Sequence, residues 1–275
     1  MVTMKPAQFE YRLPGSVRDA VLLLRDNEDA KVIAGGQSLV PLLNVRLAQP
    51  SMLVDVGRIE ELRGVEVRDG SATIGALTTE TEVLQLAPGL LPGLIPAAVA
   101  EIGHFQIRNR GTVGGSLAHA DPAAEWPALA LALGATVRLV GPEGAREVAA
   151  ADFLVGPLWT AAESDEVLTH VRVPATVDGW GFAEVARRHG DFALVGVVAV
   201  RIGGEWAVVA FATGAMPHRL VATEEYLRGG GSPGDELVAI AAGEIDVRGD
   251  IHASPDYRRA VGSALVRRVV EQACE

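Results

Sequence analysis

The chain has 275 residues, of which 49% are apolar and 21% are charged, and its formal net charge at pH 7 is −11. The apolar content excludes a disordered chain, and the length predicts two packed units or one large elaborated unit. Because the chain is acidic and has no run of Lys or Arg, the sequence argues against nucleic-acid binding and an electrostatic membrane anchor. No membrane span is expected, because the longest uncharged stretch, residues 83–100, contains three prolines.

Cysteine and histidine usage limits the metal chemistry that this chain can carry. The single cysteine, Cys274, excludes an internal disulfide, an iron–sulfur cluster and a Cys-rich zinc site on this chain. The six histidines follow no metal-binding spacing. The segment Met1–Pro6 lacks the apolar core of a secretion signal, so the sequence predicts a soluble cytoplasmic protein that holds no metal.

The first 56 residues predict a small α/β unit. Ser16 precedes an apolar-periodic run and predicts the N-cap of a short helix over Val17–Leu24. Two buried strands, Lys31–Ala34 and Met52–Val56, flank a second helical stretch over Leu39–Leu47.

Residues 57–175 predict a mixed α+β unit. Alternating apolar residues around Asp69-Gly70 indicate a β-hairpin. The segment His104–Glu125 is polar and glycine-rich, and no regular element is predicted there. The other predicted elements are helices near 79–86, 94–102 and Pro127–Leu133 and strands over Ala135–Val140 and Glu166–Val173.

A domain boundary is predicted near Pro174–Gly179. Beyond it, three β-rich runs predict an antiparallel meander, and three helical stretches follow. These runs are Gly181–Arg187, Ala193–Arg201 and Glu205–Ala212, and the helices are Thr223–Leu227, Asp235–Ala242 and Asp256–Ala273. The predicted fold class is α+β, with one domain over 1–175 (subdomains of about 1–56 and 57–175) and a C-terminal domain of antiparallel sheet and helices over 176–275.

Two glycine pairs are the most informative local features. Gly35-Gly36 and Gly114-Gly115 are each followed by Ser-Leu, directly in one case and after Gln37 in the other. Such a pair lets the backbone approach a ligand, and successive amide N–H groups in a turn can bind phosphate oxygens. Taken alone, either pair is more often an ordinary tight turn. A formal GxGxxG at 229–234 contains proline and follows a helical segment, so a flexible linker explains it better than a dinucleotide-binding motif.

Polar residues near the second glycine pair leave several interpretations. The set Ser116, His119 and Asp121 lacks the GxSxG context of a hydrolase, which disfavours nucleophilic catalysis. The cationic segment Arg108–Arg110 fits either a solvated loop or neutralisation of a diphosphate. Downstream, Asp121 and Glu125 are suited to accept hydrogen bonds from ribose or ribityl hydroxyls, and Glu125 is equally suited to complement a helix dipole.

Four ordered segments resemble one family. They are Ala34–Pro41, Ile107–Pro122, Glu184–Ala193 and Asp250–Arg259. Together they are similar to the FAD-binding (medium) subunit of molybdenum hydroxylases, of the carbon monoxide dehydrogenase and xanthine dehydrogenase superfamily. The resemblance covers nearly the whole chain and implies a two-part FAD domain followed by a flavoprotein C-terminal domain. A basic residue of the family appears here as Ala183, which departs from the pattern.

The resemblance implies an FAD site and no catalytic residue on this chain. The cofactor-binding residues carried over to this sequence are Val32, Ile33, Ala34, Gly35, Gly36, Gln37, Ser38, Leu39, Ile102, His104, Arg110, Thr112, Val113, Gly114, Gly115, Ser116, Asp121, Glu125, Leu168 and Phe192. The two glycine pairs are expected to clasp the diphosphate from two sides. Phe192 is expected beside the flavin ring, where it controls access of the electron acceptor; the alternative is that it is a core residue of a hairpin.

The activity implied by the resemblance is electron relay. Iron–sulfur clusters of the [2Fe-2S] type on a small subunit, and a molybdenum cofactor on a large subunit, would supply electrons to FAD on this chain. FAD would then pass them to an external acceptor. Two other hypotheses stay open: a stand-alone FAD-dependent oxidoreductase of the same fold, and a binding module without catalysis. The sequence leaves the substrate and the terminal acceptor undetermined.

Overall fold

The computed structural model describes residues 5–275, so the interpretation of Met1–Met4 as lacking a secretion signal lies outside the described residues. The first unit contains β1 (Glu10–Arg12), α1 (Val17–Arg25), β2 (Ala30–Ile33), α2 (Leu39–Asn44) and β3 (Met52–Asp55). Its strands form a parallel sheet in the order β1-β3-β2. This agrees with the predicted α/β unit, although β1 was not predicted.

Helix α1 illustrates how local sequence determines structure in this unit. The Ser16 side chain accepts a hydrogen bond from the Asp19 amide at 3.1 Å and so caps the helix. Val17, Ala20, Val21 and Leu24 are buried at helical spacing. These side chains pack with Met52 and Val54 of the sheet.

The second unit is built on a five-stranded antiparallel sheet in the order β4-β5-β10-β6-β7. At the predicted hairpin, Asp69 and Gly70 have φ of 49° and 75°, the left-handed values that a tight two-residue turn requires. Its elements are β4 (Val65–Arg68), β5 (Ser71–Gly75), α3 (Glu80–Leu86), α4 (Leu94–Val99), α5 (Phe105–Arg108), α6 (Val113–His119), α7 (Glu125–Ala132), β6 (Thr136–Gly141), β7 (Gly144–Ala149), α8 (Ala150–Phe153), β8 (Leu154–Gly156), β9 (Trp159–Thr160) and β10 (Val167–Pro174).

The third unit begins with β11 and contains a meander in the order β11-β12-β13-β14. Helix α11 lies on β11, and there is no room between them for a side chain at Gly181, because its Cβ would overlap the Val269 carbonyl oxygen. The elements are β11 (Gly179–Ala186), β12 (Ala193–Ile202), β13 (Glu205–Phe211), β14 (His218–Arg219), α9 (Val221–Arg228), α10 (Asp235–Glu244) and α11 (Pro255–Cys274).

The meander is buried on both faces. Val198, Val200 and Phe211 pack with α7 and the core of the second unit, which also contains Trp126. The residues that alternate with them face the opposite side, where Val197 and Ala199 pack with Val266 and Val269 of α11. Alternating side chains of one strand therefore join two cores, and each fully buried aliphatic side chain contributes about 1.5–3 kcal/mol.

The structure corrects the expectation that His104–Glu125 has no regular element, because α5 and α6 lie within it. The strands β7, β8 and β9 were also not predicted. By contrast, the GxGxxG segment at 229–234 lies between α9 and α10, as expected of a linker. No helix within residues 5–275 has the length and apolar character needed to cross a membrane.

Candidate functional site

The first glycine segment, Ala34–Ser38, is a turn between β2 and α2. Gly36 has φ of 74°, a left-handed value that favours glycine, and its carbonyl accepts the Val40 amide at 3.0 Å. Within residues 5–275, the amides of residues 35–38 donate no hydrogen bond to the protein. Four consecutive N–H donors are therefore available to a ligand, as a phosphate-binding nest requires.

The second glycine segment, Thr112–Ser116, is not a turn but the cap and first turn of α6, which corrects the expectation of two similar turns. Thr112 Oγ1 accepts the Gly115 amide at 3.1 Å, and the Gly114 amide donates to the Ala76 carbonyl at 2.9 Å. A Cβ on Gly114 would lie 2.5 Å from the Ala76 Cβ. Glycine is required at position 114 because α6 passes very close to the end of β5. Most amides of this segment already donate hydrogen bonds within the protein, so few are available to a ligand.

The two glycine segments touch each other. A Cβ on Gly35 would overlap the carbonyl oxygen of Arg110, just before the second segment. A Cβ on Gly115 would lie 3.9 Å from the Ala34 Cβ. The fold thus brings the two predicted segments to one place, where free amides on one side meet the start of a helix on the other.

The cationic segment Arg108–Arg110 divides into two different roles. The Arg108 guanidinium donates to the carbonyl oxygens of Ala100, Ile102 and Gly103 at 3.2, 2.8 and 2.8 Å. It therefore stabilises the chain after α4 and is held away from a diphosphate. The Arg110 side chain is exposed beside the first glycine segment.

Glu80 and Glu125 are buried carboxyl groups at the starts of α3 and α7. Glu80 is 2% exposed and accepts the Trp126 indole N–H at 2.7 Å. Burial raises its pKa to about 7, against the opposing effects of that hydrogen bond and of Arg108. Glu125 is 5% exposed. Burial raises its pKa to about 8, assisted by the charges of Glu80, Asp121 and Glu101 and opposed by a hydrogen bond from its own amide.

A third carboxyl group, Glu184, was not predicted as a site residue. Burial, together with the negative charges of Glu125 and Glu101, raises its pKa to about 8. Its Oε2 is buried and has no hydrogen-bond partner among residues 5–275. The neighbouring Ala183 packs on the opposite face with the C-terminal helices. A glutamate within the apolar strand 179–186 was the available sequence signal.

The remaining predicted residues lie around these segments. Val32 and Ile33 are in β2, Gln37 Nε2 donates to the Gly35 carbonyl at 3.1 Å, and Leu39 begins α2. Asp121 Oδ1 accepts the Ala123 amide at 2.9 Å. Val113 is fully buried in the core, which leaves its side chain unable to contact a ligand. Ile102 and Leu168 are half-buried against the same core, and Leu168 lies on β10, against which α6 packs.

The loop between β11 and β12 approaches the N-terminal domain at His104. A Cβ on Gly190 would overlap the His104 ring, and the rings of His104 and His189 are stacked with centroids 6.4 Å apart. Phe192, at the end of this loop, is 66% exposed. The alternative that Phe192 is a core residue is therefore wrong.

Metal-binding clusters and surface clefts were the two other kinds of site to consider. Within residues 5–275 no group of three or more His, Cys, Asp or Glu side chains is arranged to hold a metal ion. A cleft of about 590 Å³ lies elsewhere, between α1 and strands β6 and β10, and none of the predicted site residues lines it. The glycine segments and the carboxyl groups beside them therefore remain the candidate site.

Family comparisons agree with this geometry. Residues 7–176 match the family described as the FAD binding domain in molybdopterin dehydrogenase, and residues 180–273 match the CO dehydrogenase flavoprotein C-terminal domain. The nicotine 6-hydroxylase medium subunit of Paenarthrobacter nicotinovorans is 39% identical over 281 residues, which cover 98% of this chain and 99% of that one. The carbon monoxide dehydrogenase medium chain of Hydrogenophaga pseudoflava is 36% identical and covers 98% of each chain.

Solved structures give the same result. Carbon monoxide dehydrogenase from Hydrogenophaga pseudoflava matches with a TM-score of 0.91 at 35% identity, over 98% of both chains. Quinoline 2-oxidoreductase from Pseudomonas putida 86 matches with a TM-score of 0.91 at 37% identity, again over 98% of both. The fold and the glycine segments thus define a flavin-nucleotide-binding protein. The chain belongs to the family of FAD-binding medium subunits of molybdenum hydroxylases.

The residues present fit FAD. Free amides at 35–38 suit a diphosphate, and the absence of a side chain at Gly35 lets the two glycine segments meet. The Glu184 Oε2 is a buried polar atom that finds no hydrogen-bond partner among residues 5–275.

Proposed function

We propose that this chain is the electron-transferring FAD subunit of a molybdenum-dependent hydroxylase or dehydrogenase. The observation that carries the proposal is the extent of the likeness: both domains match, and full-length relatives named as medium chains cover 98% of this chain. A stand-alone flavoprotein of the same fold is the alternative.

Each part of the candidate site has a distinct role toward FAD. The amides of Gly35 to Ser38 bind diphosphate oxygens, and Thr112 fixes the start of α6 against them. Asp121 and Glu125 hold ribose or ribityl hydroxyls. When bound, FAD supplies the exchange between two-electron storage and one-electron transfer, while the chain supplies binding, orientation and electrostatics.

The proposed partners are an iron–sulfur small subunit and a molybdenum-containing large subunit. These partners would deliver electrons to the flavin, which would release them to an external acceptor. We also propose a cytoplasmic location for the complex.

The decisive experiment is purification of the complex from co-expression with the genes adjacent to this one. We expect a hetero-oligomer on size-exclusion chromatography that contains iron, molybdenum and about one FAD per copy of this chain. A yellow protein that elutes as a metal-free single species would overturn the partner proposal and favour the stand-alone alternative. A colourless protein that does not bind added FAD would overturn the cofactor role itself, and FMN in place of FAD would contradict a dinucleotide site.

We further propose that Phe192 controls access of the acceptor. Its ring is 66% exposed on a loop that contacts His104, a predicted site residue. Phe192→Ala should keep FAD and fold, and should change the rate at which small acceptors reoxidise the flavin. A variant with an unchanged rate per bound FAD would contradict this role; exposed Phe105→Ala serves as the control.

A further inference from the structure

The cleft between α1 and the strands β6 and β10 lies apart from the glycine segments and has walls from two subdomains. Helix α1 of the first unit forms one wall. The strands β6 and β10 of the second unit, together with the short 3₁₀ helix Glu60–Leu62, form the others. Its volume of about 590 Å³ lies within the range of small-molecule binding sites. A ligand bound in this cleft would therefore contact both subdomains.

The register of β6 and β10 places two basic side chains side by side in the cleft. On β6, Val137 and Leu139 are buried in the core of the second unit, so the alternating residues Arg138 and Val140 lie on the other face and line the cleft. Arg138 is paired in the register with His170 of β10. Because directly opposed residues of antiparallel strands share one face of the sheet, the side chains of Arg138 and His170 are neighbours on the cleft face.

His170 has a polar atom that the rest of the described chain does not satisfy. Its Nδ1 is buried and has no hydrogen-bond partner among residues 5–275. On the other side of β10, His170 is paired with Gly75, which has no side chain to offer, and a Cβ on Gly75 would overlap the Leu62 carbonyl oxygen. A buried nitrogen without a partner is unfavourable, and here the residue that carries it lines a cleft. This combination indicates a site that a polar ligand completes.

Two arginines line the cleft from opposite subdomains without a partner in the described chain. Arg18 is on α1 and Arg138 is on β6, and both side chains are exposed to solvent. Neither guanidinium forms a hydrogen bond or an ion pair with another residue of 5–275. Their donors are therefore available to a ligand that enters between α1 and β6.

The other charged groups of the cleft leave an excess of positive charge. Arg25 is held by Asp26 at 2.8 Å. Glu61 carries the only carboxyl group among the described residues that line the cleft, and its Oε1 accepts the Val17 amide at 3.3 Å. Since the whole chain has a formal net charge of −11, a cleft with this local excess of arginine is a specific place for an anion.

Apolar side chains form the remaining walls. Val17 and Val21 project from α1, Val140 lies beside Arg138 on β6, and Leu62 belongs to the short 3₁₀ helix. A bare inorganic anion would leave these walls in contact with water, whereas an anion with an apolar part would cover them. The lining therefore favours an organic anion over an inorganic one.

We propose that this cleft is a second binding site, which takes a small organic anion with a phosphate or carboxylate group and an apolar part. The anionic group lies between Arg18 and Arg138 beside His170, and the apolar part lies against Val17 and Val140. Because the two arginines belong to different subdomains, the bound anion joins them. The site is separate from the glycine segments and does not depend on the proposed function.

The first test compares three probes on the wild-type full chain by isothermal titration calorimetry. The probes are 1-naphthyl phosphate, the neutral 1-naphthol, and inorganic phosphate. We expect 1-naphthyl phosphate to bind with a Kd below about 1 mM, at least about tenfold tighter than either of the others. Equal or tighter binding of 1-naphthol would mean that the cleft is only an apolar surface and would overturn the inference, as would equal binding of inorganic phosphate.

The second test assigns the bound probe to the cleft. We expect Arg18→Gln and Arg138→Gln each to weaken 1-naphthyl phosphate binding at least about fivefold and to leave Tm and 1-naphthol binding unchanged, because neither guanidinium has a partner in the described chain. Arg268→Gln, an exposed arginine of α11, is the matched control and should bind the probe like the wild type. His170→Phe keeps a ring but removes Nδ1, and it should also weaken binding of the phosphate.

The same titrations are repeated with saturating FAD to separate the cleft from the glycine segments. We expect the affinity for 1-naphthyl phosphate to be unchanged by FAD. Loss of probe binding in the presence of FAD would assign the phosphate to the glycine segments and overturn the second site. Wild-type affinity in the Arg18→Gln, Arg138→Gln double variant would overturn it as well. If an arginine variant does not fold, the comparison of the three probes on the wild type, with and without FAD, decides by itself.

Discussion

The two glycine segments have nearly the same residues and opposite structural reasons for their glycines. In Ala34–Ser38, Gly36 supplies a left-handed φ of 74°, and the following amides stay free of protein partners. In Thr112–Ser116 the backbone is helical, and Gly114 is needed because α6 approaches Ala76. Two similar glycine pairs therefore do not imply a repeated conformation: one pair forms a turn with free amides, and the other permits close packing.

The largest expected effect tests the packing role of the second segment. Gly114→Ala places a Cβ 2.5 Å from the Ala76 Cβ, so α6 must move and the free energy of unfolding should fall by about 1–3 kcal/mol. Urea unfolding measures the change. Gly243→Ala, in α10 with no atom within 4 Å of the added Cβ, is the helical control and should be neutral or stabilising. Equal stability of the two variants would show that close packing is not what Gly114 provides.

Gly35→Ala tests the contact between the two segments. Its Cβ would overlap the Arg110 carbonyl, so the first segment must move away from α6. We expect FAD affinity to fall at least about tenfold, equivalent to about 1.4 kcal/mol, with a smaller loss of stability than in Gly114→Ala. Fluorescence titration measures the affinity, and Gly15→Ala, which meets nothing within 4 Å, is the control. Unchanged FAD affinity in Gly35→Ala would contradict a site formed by both glycine segments.

Variants at the N-cap of α6 separate the effect on helix stability from the effect on FAD binding. Thr112→Ala removes the acceptor for the Gly115 amide and should cost about 1 kcal/mol of stability together with FAD affinity. Thr112→Ser should preserve most of both. Ser16→Ala removes the corresponding cap of α1 and should cost similar stability without affecting FAD. If both alanine variants bind FAD equally well, the α6 cap has no special role at the site.

The smallest effect concerns the turn itself. Gly36→Asn should cost under about 1 kcal/mol, because Asn tolerates a left-handed φ, whereas Gly36→Ala should cost more. Comparing the thermal unfolding of the two variants separates the effect of the left-handed φ from the effect of adding a side chain. No difference between Asn and Ala at this position would mean that the positive φ is not retained in solution.

Elements fixed by short-range rules were predictable from sequence. The Ser16 cap and the Asp69-Gly70 hairpin depend on residues within a few positions, and both form as expected. Strand β7 was not predicted because it is an exposed edge strand, in which Arg146 and Glu147 obscure the alternation. Helix α6 was hidden because glycine has low helix propensity, and only tertiary packing at Gly114 makes it favourable there.

The site was predictable only in part for a related reason. The glycine segments could be found as motifs, but their different conformations depend on Arg110 and Ala76, contacts that no spacing rule gives. The burial of Glu125 and the position of Glu184 depend on how the C-terminal meander packs against α7. Arg108 looked suited to a diphosphate, yet unsatisfied carbonyls after α4 compete for its guanidinium.

The contact between Gly35 and the Arg110 carbonyl also has a kinetic consequence. These positions are 75 residues apart (110 − 35), and they come from separate subdomains. Bringing such distant segments together requires the closure of a long loop, which slows folding relative to local helices and hairpins. The nucleotide-binding surface should therefore form late, after each subdomain has folded, so added nucleotide should slow unfolding far more than it accelerates refolding.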